Sequence, residues 1–141
     1  MLISQTAEYA LRSVVWLAAN GTQTTRQIAS GTQVPADYLS KVLQALTRHG
    51  VVSSQRGKHG GFKLATSPES LRTLDVIDAV DPIRRIESCP LELESHCEEL
   101  CPLHRHLDDA IAQIQAAFAS TTIADLQRQK DLPSAFGMKE D

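Results

Sequence analysis

Three cysteines and a histidine stand close enough in this chain to share one ligand. Seven residues separate Cys89 from Cys97, three separate Cys97 from Cys101, and His104 follows two residues after Cys101. Thiolate sulfur and imidazole nitrogen bind zinc and iron–sulfur clusters alike, so four such donors in one short stretch have the arithmetic of a metal site. Ligand type alone does not choose between the two. Three thiols cannot all pair off into disulfides, which favours ligands or reactive thiols over a disulfide framework. The plain alternative is unliganded thiols in a loop.

A second group of residues could meet a polyanion. Between Asp37 and Glu69 there is no acidic residue, while Lys41, Arg48, Arg56, Lys58 and Lys63 all fall there. A phosphate backbone would meet no repulsion along that stretch, whereas an ordinary solvated face usually mixes its signs. Within it Leu39, Val42, Leu43 and Leu46 repeat at helical spacing, which turns Asp37, Ser40, Lys41, Gln44 and Arg48 to the other side. Gln44 can make a bidentate contact to adenine and Ser40 can bond to several bases; Lys41 and Arg48 suit phosphates equally well. Tyr38 flanks that face as a backbone contact or as core. Further on, Arg56 suits a narrow minor groove, with Lys58 and His59 on phosphates.

Those residues need elements to hold them. Ala7, Ala10, Leu11, Val14, Val15 and Ala18 predict an amphipathic helix that Asn20-Gly21 ends. Thr24 and Gln27 stand at capping-box spacing and predict a short second helix up to Gly31; Pro35 suits the first position of a third, which stops at His49-Gly50. The period then changes. Residues 51–55 and 61–65 read as strands joined by a basic tip, which makes a hairpin. Helix, helix-turn-helix and hairpin in that order make a winged helix-turn-helix that would lay its third helix in the major groove of double-stranded DNA. After a short helix marked by Leu74, Ile77 and Val80, a long one is expected from Pro102, with Leu107, Ile111, Ile114 and Phe118 on its apolar stripe. So long a stripe on so small a chain predicts pairing with the same helix of a second chain, and a two-fold homodimer suits a palindromic operator. Residues 121–126 read as a last short helix. The fold class expected is mainly α with a small β-hairpin wing, a winged helix-turn-helix domain plus a long dimerisation helix. The divisions are 1–82 for DNA binding, 83–104 for the cysteine loop, 102–130 for the dimerisation and last helices, and 131–141 for a loose tail.

The totals agree. In 141 residues with net charge −3, residues 1–68 carry seven Lys/Arg against two Asp/Glu, and residues 69–141 carry seven against fifteen. The front half is basic and the back half acidic. No phosphate-binding loop, dinucleotide fingerprint or catalytic triad pattern is present, so no enzyme class is suggested. The run from Val14 to Ala19 is too short to span a bilayer and has no cleavage signal, so no membrane is expected and a cytoplasmic location is.

The segments SQTAEYALRSVVWLA, VPADYLSKVLQALTRHGVVSSQRGKHGGFKLA and TTIADL, together with the three late cysteines, resemble the Rrf2 family of bacterial winged-helix transcription regulators over residues 1–128. The wing pattern Arg-Gly-x-x-Gly-Gly-Phe at 56–62 is the most specific local sign. The resemblance implies a homodimer, a repressor of transcription, and an iron–sulfur cluster that tunes operator binding in response to nitric oxide, redox state or iron supply. It selects iron over zinc, and leaves two-iron and four-iron forms open. It also implies a fourth ligand. Glu8, in the place where some members supply a carboxylate from the partner subunit, is the expected fourth ligand, and His104, in the place where others supply an imidazole, is the alternative. Each has a plainer reading: Glu8 stands four residues before Arg12 and could form a helical ion pair, and His104 could be an exposed helix-start residue. Cys101, just before Pro102, is expected to cap the long helix, whose positive end favours a thiolate. A structural zinc site is the nearer alternative, an iron–sulfur electron carrier the remoter one.

Overall fold

Ser4 opens the chain's first helix by accepting a hydrogen bond from the Ala7 N–H at 3.1 Å. The computed structural model describes residues 2–92 and 99–129. Its elements in order are α1 (Gln5–Asn20), α2 (Thr25–Thr32), α3 (Ala36–Arg48), β1 (Val52–Gln55), β2 (Gly61–Leu64), α4 (Thr73–Val80), α5 (Pro102–Ala119) and α6 (Ile123–Arg128). This is the winged helix-turn-helix that the periodicity predicts, mainly helical with a two-stranded antiparallel hairpin. The local signals act where the sequence puts them. Thr24 and Gln27 form the reciprocal capping box at the start of α2, which satisfies two N–H groups that would otherwise lack partners. Gly21, with φ 69°, returns its N–H to the Leu17 carbonyl at 2.9 Å and ends α1.

One core joins the faces of α1, α2, α3, β1, α4 and α6. Leu39, Val42, Leu43 and Leu46 of α3 are buried with Val14, Leu17, Ile28, Val76 and Ile123. Two details differ from the periodic reading. On α1, Ser13 and Leu17 are buried while Leu11 and Ala18 are only half-buried. Ser13 tolerates full burial because its hydroxyl donates to the Tyr9 carbonyl at 2.8 Å. On α4, Val76 and Ala79 join Ile77 inside, and Leu74 and Val80 lie at the margin.

The sequence groups α6 with the expected dimerisation helix, and its packing is with the elements of the winged helix-turn-helix. Ile123 is fully buried in the common core, and its N–H donates to the Leu71 carbonyl at 2.8 Å. The Thr73 N–H donates to the Thr121 carbonyl at 2.9 Å, closing a bridge between Arg72 and Thr122. So α5 leaves the module after α4 and the chain returns to it in α6. No residue of α5 is fully buried. Among the described residues no helix is long and apolar enough to cross a membrane.

Candidate nucleic-acid interface and cysteine site

The outward face of α3 follows from its inward one. With Leu39, Val42, Leu43 and Leu46 at 1% exposure or less, the 3.6-residue turn leaves Asp37, Ser40, Lys41, Gln44 and Arg48 exposed. Asp37 in the first turn and Arg48 in the last complement the helix dipole. The Ser40 hydroxyl donates back to the Ala36 carbonyl at 3.3 Å. Tyr38 is the exception among the predicted contacts. Its hydroxyl is hydrogen-bonded to the Thr6 hydroxyl of α1, and its ring meets the ring of Tyr9 edge to face at 5.3 Å and 81°.

The wing is pinned at its base and open at its tip. β1 and β2 pair in the register Val52 with Leu64 through Gln55 with Gly61. Gln23, in the link between α1 and α2, exchanges backbone hydrogen bonds with Phe62 at 2.8 and 2.9 Å. Gly61, at φ 145°, is required for this approach, because a Cβ there would run into the Gln23 carbonyl. Gly57, at φ 111°, turns the tip. Arg56, Lys58 and His59 stand exposed on it, and none of Lys41, Arg48, Arg56, Lys58 or Lys63 is in an ion pair among the described residues. Among the described residues the cations of α3 and the wing are therefore uncompensated, as a phosphate-binding surface requires.

The cysteine-bearing segment is fastened to α5. Gln115 donates through Nε2 to the Ile83 carbonyl at 2.7 Å. Asp108 accepts two hydrogen bonds from the Arg85 guanidinium, at 2.7 and 2.6 Å, and one from the Ile86 N–H at 2.9 Å. Arg85 first, and then the Ile86 N–H, hold the Asp108 carboxyl down at about 2. Cys89, three residues beyond Ile86, is buried. Cys101 occupies the N-cap position of α5 with extended backbone (φ −61°, ψ 162°), but its sulfur makes no capping bond. It lies instead 3.2 Å from Nδ1 of His104, one turn into the helix. Cys97 lies outside the described residues, and among those described no three His, Cys, Asp or Glu side chains form a metal-binding group.

Glu8 is engaged elsewhere. Its carboxylate pairs with Arg12 at 2.7 Å, the helical ion pair that its spacing allows. Arg12 also donates to the Thr32 carbonyl at the end of α2, at 3.3 Å, and sits 5.4 Å from the centre of the Tyr9 ring. On the expected dimer stripe, Leu107 is exposed and Ile111, Ile114 and Phe118 are half-buried. Spacing could not show Thr6, Tyr9, Asp108 or Gln115, because each finds its partner 22 or more residues away.

The geometry has relatives. A family description, Rrf2, an iron-dependent transcriptional regulator, matches residues 3–129. A protein of Aquifex aeolicus named as an HTH-type transcriptional regulator is 33% identical over 131 residues, covering 89% of this chain and 91% of that one. CymR, the global cysteine regulator of B. subtilis, has the same fold with a TM-score of 0.72 and 25% identity, covering 89% of this chain and 95% of its own. T. potens IscR shares the fold at a TM-score of 0.73 and 22% identity, over 90% and 86% of the two chains. The chain belongs to the Rrf2 family: it is a DNA-binding transcriptional regulator and not an enzyme.

Proposed function

We propose that this regulator works as a homodimeric repressor on a palindromic operator, and that an iron–sulfur cluster held by Cys89, Cys97, Cys101 and His104 controls its grip. In this reading α3 enters the major groove, with Gln44 and Ser40 at base edges and Lys41 and Arg48 at phosphates. Arg56 enters the minor groove, with Lys58 and His59 on the flanking phosphates. Leu107, Ile111, Ile114 and Phe118 pair the two copies of α5.

The observation that carries the cluster reading is the 3.2 Å approach of the Cys101 sulfur to His104 Nδ1 at the start of α5. Three thiolates and an imidazole are a donor set that iron–sulfur chemistry uses. The same closeness supports His104 over Glu8 as fourth ligand, since Glu8 is committed to Arg12 within its own chain. When bound, the cluster would supply a centre that reacts with nitric oxide or oxidants. The chain supplies the connection. Asp108 and Gln115 hold residues 83–86 to α5, so a displacement of Cys89 bears on the helix that pairs the two copies.

Protein purified without oxygen tests this. A brown protein with iron and sulfide in equal amounts, whose spectrum changes in His104→Ala and survives in Glu8→Ala, is expected. Survival of the spectrum in His104→Ala with collapse in Glu8→Ala would transfer the fourth ligand to Glu8 of the partner subunit. A colourless protein with one zinc per chain would support the second reading, a structural zinc site, which the same Cys and His donors also suit. Mössbauer spectra of the brown form decide between two and four irons.

A further inference from the structure

The turn between α2 and α3 is held from both sides by α1. On one side Arg12 donates to the Thr32 carbonyl, the last residue of α2, at 3.3 Å. On the other, Tyr38 in the first turn of α3 bonds through its hydroxyl to Thr6 and rests its ring on Tyr9 at 5.3 Å. Tyr9 is itself fixed: Gln5 donates to its hydroxyl at 2.8 Å and the Arg12 guanidinium lies 5.4 Å from its ring centre. Tyr38 is 37% exposed, at the edge of the face that carries Ser40, Lys41 and Gln44.

We infer that Tyr38 is a positioning residue for DNA reading: through Thr6 and Tyr9 it sets the direction in which α3 presents Gln44 and Ser40. The core side of α3 is a smooth row of Leu and Val, which resists tilting but supplies no directional bond along the helix. The hydroxyl-to-hydroxyl bond and the edge-to-face ring contact are directional, and they lie at the end of α3 nearest the turn. A small change of angle there alters where Gln44 falls, two turns further on. Bidentate contacts to a base tolerate such an error poorly; contacts to phosphates tolerate it well, because a charge acts over distance. Loss of the Thr6–Tyr38 bond therefore lowers sequence discrimination more than it lowers affinity for DNA at large.

This inference rests on α3 being the reading helix, and the experiment separates the two. The probes are a duplex selected by the wild-type protein from a randomised library and a duplex of random sequence. Tyr38→Phe and Thr6→Val each remove one hydroxyl of the pair, and Thr6→Ser restores it. The ratio of affinities for the two duplexes should fall by about threefold to tenfold in Tyr38→Phe and in Thr6→Val, the range that one hydrogen bond spans. It should fall no further in the double variant and return in Thr6→Ser, with the random-duplex affinity little changed throughout. Equal losses on both duplexes in Tyr38→Phe with a silent Thr6→Val would overturn the inference and make Tyr38 a backbone contact. Silence of both variants beside a large effect of Gln44→Ala would leave α3 as the reader and dismiss the positioning role. Silence of Gln44→Ala as well would overturn the reading of α3 itself. A variant with a depressed melting temperature is replaced in the comparison by Tyr9→Leu, which leaves the Tyr38 hydroxyl in place and removes the ring contact; the same fall in ratio is expected, and no fall counts against the inference.

Discussion

Two helices of this chain, α3 and α5, are built to opposite plans. α3 spends its four large aliphatic side chains inside its own subunit, where each is at 1% exposure or less, and leaves Asp37, Ser40, Lys41, Gln44 and Arg48 outside. α5 is longer, at 18 residues, and has no buried residue at all. What holds α5 within the chain is largely polar: the Thr73 hydroxyl on the Phe118 carbonyl at 2.6 Å, Gln115 on Ile83, and Asp108 on Arg85 and Ile86. A helix with a finished apolar face is positioned by its own fold. One whose stripe stays half-covered, and whose ties are hydrogen bonds and an ion pair, depends on what covers it. The inner face of α3 is thus complete in one copy, whereas the stripe of α5 beside the cysteines is not.

Charge placed on the α5 stripe should have the largest effect. Ile111→Lys with Ile114→Lys should give a folded monomer in sedimentation, since neither side chain belongs to the module's core. Affinity for a palindromic duplex should then fall by about a hundredfold or more as two half-sites cease to be held together. A dimer that persists, with unchanged affinity, would remove α5 as the pairing surface.

The counterpart on α3 acts through folding. Leu43→Ala should cost about 2 to 5 kcal/mol in chemical denaturation, the range for a fully buried leucine. Leu107→Ala, at 43% exposure in one chain, should cost the monomer about 0.5 kcal/mol or less. Similar costs at the two positions would mean that the two helices do not differ as described.

These contrasts also mark what could be read from residue order. The buried face of α3 was legible in full, because 3.6-residue periodicity needs no partner to be seen. So were the capping box of α2 and the span of α5 from Pro102. The destination of α6 was not: TTIADL shows a helix start but not that Ile123 enters the core of a module some fifty residues earlier in the chain. Nor was the fate of Tyr38. It sits at the border between the two faces of α3, and its partners Thr6 and Tyr9 belong to a helix that spacing cannot bring near. At the cysteines the spacing suggested candidate donors, and the folded chain places Cys101 beside His104 rather than on the helix N–H groups it was expected to cap.

A smaller effect is expected from individual DNA contacts. Gln44→Ala and Arg56→Ala should each lower affinity for a selected duplex by about 1 to 3 kcal/mol with little loss on random DNA. Lys58→Ala should weaken both equally and make the salt dependence shallower by about one ion. If all three variants act by one factor on both duplexes, base reading by Gln44 and Arg56 is wrong, and α3 and the wing serve only as a cationic surface.

The smallest effect tests the tether of α5. Because Arg85 and the Ile86 N–H lower the Asp108 carboxyl to about 2 from an ordinary 3.8, the folded form favours the ionised group. The tether therefore contributes its full stabilisation above the ordinary value and loses it as pH falls from near 4 through about 2. The Ile86 amide reports this directly, since its N–H donates to Asp108 at 2.9 Å. Its protection from hydrogen exchange, corrected for the intrinsic rate, should decline over that interval while amides inside α3 hold theirs. Asp108→Asn should show reduced protection already at neutral pH, because the neutral amide keeps one acceptor and loses the ion pair. Protection at Ile86 that neither acid nor Asp108→Asn alters would mean that Gln115 and apolar packing suffice to hold the cysteine segment, and that α5 is fixed as firmly as α3.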